Sequence, residues 1–263
     1  MKSIVANRRH PAIGLALLIV ALVGVGSAYS IASTVGSADA STAADSQTQV
    51  EEGRRLFLEG CSSCHGLNAE GTSNGPTLIG AGAAAVHFQV STGRMPMAQP
   101  GAQAQAKPAI YDADQTAKMA AYVASLGPGP AIPTAEDLDY EGADLALGGL
   151  LYRTNCAQCH QAAGAGGALT QGKYAPNLMD ATPQEIYEAM LTGPQNMPVF
   201  SDGALPADSK KAIIKYIADM QEAPSPGGLS LGKLGPVPEA VFLFTAGLGV
   251  LIAAAIWIGI KAR

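Results

Sequence analysis

Cysteine and aromatic residues are scarce in this chain. Its 263 residues include four Cys, five Phe and one Trp, and aromatics make up 5%. Such a supply leaves only a thin aromatic core for that length, and points to apolar volume supplied by something other than protein. Basic residues are also few: 16 Lys and Arg stand against 21 Asp and Glu, a net charge of −5. No broad basic surface exists, so a nucleic-acid partner is not implied. No alternating apolar and polar run of any length occurs, which argues against a sheet-based fold. Gly (31) and Pro (17) are abundant. The length suits one or two domains.

Only 14% of residues are charged, and mean hydropathy is positive at +0.18. Two apolar runs account for this. The first covers residues 11–31 behind Lys2, Arg8 and Arg9. It reads as a signal peptide or a retained anchor. A small-x-small site in SADA (37–40) fits cleavage, whereas roughly 20 apolar residues is long for a signal and sufficient for a bilayer. The second run, 237–260, has one acid, Glu239, at its start, and Trp257, Lys261 and Arg263 at its end. A buried core helix is the alternative, which its length and uniform apolarity oppose. Basic residues at both outer ends place those ends in the cytoplasm and residues 41–236 outside it.

All four cysteines lie in two pentapeptides, CSSCH (61–65) and CAQCH (156–160). The offset of 95 between Cys61 and Cys156 also relates Gly53 to Gly148, Leu56 to Leu151 and Phe57 to Tyr152. The shared pattern is G-x-x-L-aromatic-x-x-x-C-x-x-C-H, with its marked positions at helical spacing. Each copy closes with a second amphipathic stretch, 112–127 and 207–220. Met119, Tyr122, Val123 and Leu126 share a face in the first, matched by Ile213, Tyr216, Ile217 and Met220 in the second. Asp112 or Asp114, and Asp208, are candidate helix caps. The resulting layout is an N-terminal segment at 1–40, units at 49–128 and 146–222, linkers at 129–145 and 223–236, and a membrane helix at 237–260. Within the first unit, 99–108 is a low-complexity loop. The first linker carries Glu136, Asp137, Asp139, Glu141 and Asp144, a solvated connector or a patch that steers a basic partner.

A C-x-x-C pair alone fits a redox dithiol, half a zinc site or an iron–sulfur ligand pair. The following His changes that, because C-x-x-C-H is the attachment signature of c-type haem. Two thiols one helical turn apart form thioethers to one haem edge, and the next imidazole lies under the iron. Zinc held by Cys61, Cys64, Cys156 and Cys159 leaves His65, His160 and the repeat unexplained. Two covalent haems also supply the missing apolar bulk.

The opposite axial ligand should come later in each unit. TGRMPM (92–97) and TGPQNMPVF (192–200) both place M-P after T-G, matching Met95 with Met197. Met97 is the alternative to Met95, and His87 a further candidate whose plainer reading is a packed or surface histidine. Met119, Met179, Met190 and Met220 read as core fillers. NGPTL (74–78) and YAPNL (174–178) each set a proline between His and Met. The carbonyls of Pro76 and Pro176 are candidates to accept the imidazole N–H, with simple turn prolines as the alternative.

These motifs resemble class I cytochrome c domains in tandem, an all-α fold. AAAVHFQVSTGRMP, GGALTQGKYAPNL and MLTGPQNMP, with the C-terminal helix, make 53–263 similar to cytochrome cc, the dihaem (QcrC-type) subunit of actinobacterial menaquinol–cytochrome c reductase. The resemblance implies partnership with a cytochrome b subunit, a Rieske iron–sulfur subunit and haem–copper oxidase subunits, in a dimeric supercomplex of the cell membrane. Electrons would pass from the Rieske cluster through both haems to the oxidase copper centre. The chain would be the electron-transfer subunit of a quinol–cytochrome-c reductase, with no catalytic site of its own. The alternatives are a free-standing, membrane-anchored dihaem carrier or an oxidase's own cytochrome subunit. A haem enzyme needs an exchangeable iron site, which the matched Met-Pro motifs oppose.

Overall fold

The computed structural model describes residues 11–222 and 236–261, except for the side chains of 11–13, 28–45 and 236–238. Two compact units result, Met1–Glu52 and Gly53–Arg263. The fold is all-α, with two cytochrome-like domains of helix and loop.

The first domain begins in the last turns of α1 (Pro11–Gly60) and continues through the one-turn α2 (Ser62–His65), α3 (Gly82–Ser91) and α4 (Ala113–Ser125). The second repeats the plan with α5 (Leu145–Asn155), α6 (Ala157–His160), α7 (Pro183–Thr192) and α8 (Ala207–Glu222). The helix ends follow from sequence. Asp112 accepts from Gln115 N while Gln115 returns a bond to Asp112 N, a reciprocal cap that starts α4. Thr182 and Glu185 do the same for α7, with Pro183 at its first position. Asp144 caps α5 through the amides of Ala146 and Leu147. Asp208 is not a cap: α8 starts at Ala207, so its carboxylate sits within the first turn, where it favours the helix dipole.

In both domains the helix leading into the pentapeptide crosses the closing helix. A glycine makes the crossing close. A Cβ on Gly53 would overlap the Lys118 carbonyl, and one on Gly148 the Ala212 carbonyl. Tilted aromatic pairs pack beside it: Phe57 with Tyr122 and Tyr152 with Tyr216, each with ring centroids 5.3 Å apart. Phe57, Met119, Val123, Tyr152, Ile213 and Ile217 are nearly inaccessible. Ile214, also fully buried, extends the apolar face beyond the positions that periodicity selects.

The second domain adds a small antiparallel ribbon, β1 (Gly167–Ala168) with β2 (Tyr174–Ala175), joined through a 3₁₀ turn at Thr170–Gly172. Two-residue strands are too short for an alternating pattern to reveal. The C-terminal helix α9 (Pro236–Lys261) contains a stretch, Glu239–Lys261, long and apolar enough to cross a membrane, with none of it buried. Lys261 Nζ lies 4.8 Å from the Trp257 ring centroid, an amphipathic end typical of a membrane boundary. Near the other end, the described apolar stretch is Gly14–Ser27, shorter than a span. Residues 28–31 of the expected anchor have no described side chains, and 223–235 of the second linker lie outside the described residues.

Candidate haem-binding sites

Each pentapeptide folds into one tight turn continuing the preceding helix. Cys61 N donates to Phe57 O at 2.8 Å, and His65 N to Cys61 O at 3.0 Å. Cys156 N donates to Tyr152 O at 2.8 Å, and His160 N to Cys156 O at 2.9 Å. The chain then reverses: Gly71 N reaches His65 O, and Gly166 N reaches His160 O. Both imidazoles are buried, at 8% and 9% exposure.

Those imidazoles have the same partner. His65 Nδ1 lies 2.8 Å from Pro76 O, and His160 Nδ1 lies 2.9 Å from Pro176 O. A carbonyl only accepts, so Nδ1 carries the proton and Nε2 keeps its lone pair for a metal. Burial pulls His160 below its usual value, against the pull of the Pro176 hydrogen bond, which favours the neutral ligand form. The first cradle is so tight that a Cβ on Gly75 would crowd Cys64 O and His65 Nδ1. From His to proline is 11 residues in the first site and 16 in the second, and the ribbon β1–β2 holds the extra length.

All four thiols are free. Burial, then the neighbouring Cys64, pushes Cys61 up to about 11; burial, then Cys159, does the same to Cys156. These are protonated thiols, not the low-pKa nucleophiles of a redox dithiol. Among the described residues no group of three or more His, Cys, Asp or Glu gathers around a common point.

The methionines divide clearly. Met95 packs on the apolar cluster of Leu56, Val90 and Met119, which Cys61 also joins. Met97 instead lies toward Gly101. Met197 packs on the second core together with Cys156 and Leu178. Met119 and Met190 are buried core residues at 2% exposure. His87 is engaged with the second domain: its Nδ1 lies 2.8 Å from Glu188 Oε1.

A cavity of about 920 Å³ opens between Cys156, Cys159, His160 and Pro176 on one side and Met197 on the other. Leu178, Ile186, Met190, Ile213 and Ile217 supply apolar walls. This is the size and lining of a site for a large apolar cofactor with a few polar anchors. Free thiols at one edge, an imidazole whose Nε2 has no partner among the described residues, and a thioether across the cavity together fit haem c.

Residues that the sequence motifs did not mark as site candidates also line it. Phe88, Thr92, Arg94 and 103–109 of the first domain form part of the same cavity. Gln103 Nε2 donates to Tyr174 O at 2.6 Å, and Tyr174 N returns a bond to Gln103 Oε1 at 2.8 Å. Gln195 clasps Ala104 N and O in the same way. The low-complexity loop of the first unit is therefore part of a wall. Single glutamines in an Ala-rich stretch give no periodic or motif signature.

Comparison with known proteins agrees with this geometry. Residues 50–127 match the cytochrome c family, and 143–217 match the family of cytochrome c oxidase, cbb3-type, subunit III. The cytochrome bc1 complex cytochrome c subunit of Corynebacterium efficiens is 48% identical, covering 97% of this chain and 92% of the relative. The chain belongs to the bc1 complex cytochrome c subunit family. Its counterparts from Corynebacterium diphtheriae (47%, over 95% and 94% of the two chains) and Mycobacterium tuberculosis (45%, over 97% and 92%) are similar throughout. A cbb3-type oxidase subunit, FixP of Bradyrhizobium diazoefficiens, is 26% identical over 63% of this chain. Cytochrome c domains imply haem c, and family membership with α9 implies a membrane location.

Proposed function

We propose that this chain is the dihaem electron relay of a cytochrome bc1 complex. Cys61 and Cys64 anchor one haem c and Cys156 and Cys159 the other. His65 and His160 are the proximal ligands, oriented by Pro76 and Pro176, and Met95 and Met197 complete the sites. Each haem supplies a one-electron iron couple when bound, and His with Met ligation favours a high potential. The apolar walls keep water from the iron, and the Pro–His hydrogen bonds hold the imidazoles in the ligating tautomer. The observation that supports this reading is the matched pair of His–Pro cradles, one on each of two domains that share a wall.

In this reading the chain works as the electron-transfer subunit of quinol–cytochrome-c reductase, beside a cytochrome b and a Rieske protein. It accepts electrons from the Rieske cluster and passes them to the copper centre of a haem–copper oxidase, within a dimeric supercomplex. Helix α9 anchors it, with the haem domains on the extracytoplasmic side and both termini cytoplasmic where the N-terminal helix is retained. The test is purification from membranes at endogenous expression, followed by rapid-mixing reduction with menaquinol. Co-purification with cytochrome b and the Rieske protein, and reduction of both haems by quinol, is expected. A chain that comes out alone contradicts it.

One observation favours a second reading, an oxidase's own cytochrome subunit: the match of 143–217 to the cbb3 subunit III family. Reduction of an oxidase by this chain in the absence of any Rieske protein would establish that role instead.

A further inference from the structure

The wall that the first domain lends to the second cavity carries a cation whose donors are not engaged among the described residues. Three basic side chains line that cavity: Arg94, Lys107 and Lys173. Lys107 is spent within its own loop, donating to Gly93 O at 2.6 Å and Pro96 O at 2.7 Å. Lys173 donates to Asn196 Oδ1 at 2.8 Å. Arg94 differs. Its guanidinium lies 4.7 Å from the Phe88 ring centroid and, among the described residues, makes no hydrogen bond or ion pair. Glu185, which also lines the cavity, attracts it through space without reaching ion-pair distance. A half-buried guanidinium has five donors in a rigid fork suited to a carboxylate, and leaving them unpaired away from water is costly. Packing on Phe88 fixes its position without satisfying any of those donors.

Haem is apolar except for its propionate carboxylates, and the Arg94 fork offers an anion in this cavity a matching partner. We propose that Arg94, a residue of the first domain, binds a propionate of the second domain's haem. This rests on the dihaem reading above. It gives Arg94 a position between the two sites, since its chain neighbour Met95 is the first site's thioether ligand. The reciprocal glutamine clasps of Gln103 on Tyr174 and Gln195 on Ala104 hold the wall in place, and thereby the charge. A fixed positive charge beside the second haem stabilises its reduced state, which carries one more electron. The first domain therefore sets the potential of the second haem, and separating the domains would lower it.

The test uses the full chain in its detergent-extracted complex, with haems counted by intact mass and potentials read by spectrally resolved redox titration. The second haem's transition is the one that moves in Met197→His. In Arg94→Gln, its reduced-to-oxidised ratio at fixed potential should fall roughly tenfold, about 59 mV for one electron. Arg94→Lys should restore much of this, as a structural role would not. Glu185→Gln keeps the acceptor that caps α7 but removes the opposing charge, and should move the transition upward. Unchanged potentials in Arg94→Gln and Glu185→Gln, with both haems attached, would overturn the assignment of Arg94 and leave the dihaem reading intact. Should Arg94→Gln fail to assemble, the absence of an upward shift in Glu185→Gln overturns it. Fewer than two haems on the unsubstituted chain would defeat the dihaem reading itself.

Discussion

Gly148 and Gly149 are adjacent in α5, so replacing either with Ala changes intrinsic helix propensity equally, by about 1 kcal/mol in favour of the helix. Their surroundings differ. A Cβ on Gly148 would fall on the backbone carbonyl of Ala212, which belongs to α8 and cannot rotate away. The two helices must separate, loosening Tyr152, Ile213, Ile214 and Ile217, all within 2% exposure. A Cβ on Gly149 meets Tyr216 Cε2 at 3.0 Å and Arg153 Nη1 at 3.1 Å, side-chain atoms that can yield. Overpacking costs typically about 1–3 kcal/mol, and a backbone obstacle belongs at or above the top of that range. After the propensity gain, Gly148→Ala should destabilise the second domain by about 2 kcal/mol, and Gly149→Ala by less than about 1 kcal/mol. For a domain of this size, about 2 kcal/mol corresponds to a loss of roughly 8–16 °C in Tm. Thermal unfolding followed by circular dichroism on the holo-protein reads the difference directly. Equal melting temperatures for the two variants would refute the close crossing of α5 and α8 as the element that holds this domain together.

Met95→Leu should lower the potential of one haem and open its iron to cyanide, whereas Met97→Leu should do neither; redox titration and cyanide difference spectra decide between them. The hydrogen bond to Glu188 raises His87 above its usual 6.5, against burial, with Glu185 adding to the pull. The protonated form is thus favoured when the domains are docked. This contribution is fully present below pH 6.5 and is lost as pH rises through the raised value. Amide exchange in α3 and α7 should accordingly speed up with pH beyond its intrinsic dependence, and His87→Gln should remove that excess. Lys210 is fully buried, and its Nζ pairs with Asp202 at 2.6 Å. Asp202→Ala should cost the second domain about 1–3 kcal/mol in a denaturant titration, because it leaves a buried ammonium short of its partner; a neutral result would show that the ammonium finds another.

Much of the site is legible in the amino-acid order. The offset between the pentapeptides implies two equivalent helical crossings, and Gly53 with Phe57 and Gly148 with Tyr152 occupy equivalent places in them. Spacing alone points to the Pro76 and Pro176 carbonyls, since a proline between His and Met has few other polar groups to offer. The helix α3 is harder to see. In α3 the ten residues bury Ala84, Phe88 and Val90 on more than one face, which blurs a one-sided apolar stripe, whereas α7 is short but one-sided and opens on a legible Thr182–Glu185 cap. The acidic linker also conceals a structural role. Asp144 caps α5, and Asp137 accepts from Thr134 N and Oγ1. Glu188, buried against His87, leaves no trace in the sequence, because a single acid in a helix looks like a solvated one until its partner from the other domain is placed.

The central claim is that both pentapeptides hold covalent haem. Intact-mass spectrometry of the protein purified from membranes tests it most directly. The mass should exceed that of the polypeptide by two haem groups, falling to one in Cys156→Ala/Cys159→Ala and to one in Cys61→Ala/Cys64→Ala. A bare polypeptide mass, or a single haem on the unsubstituted chain, would contradict it.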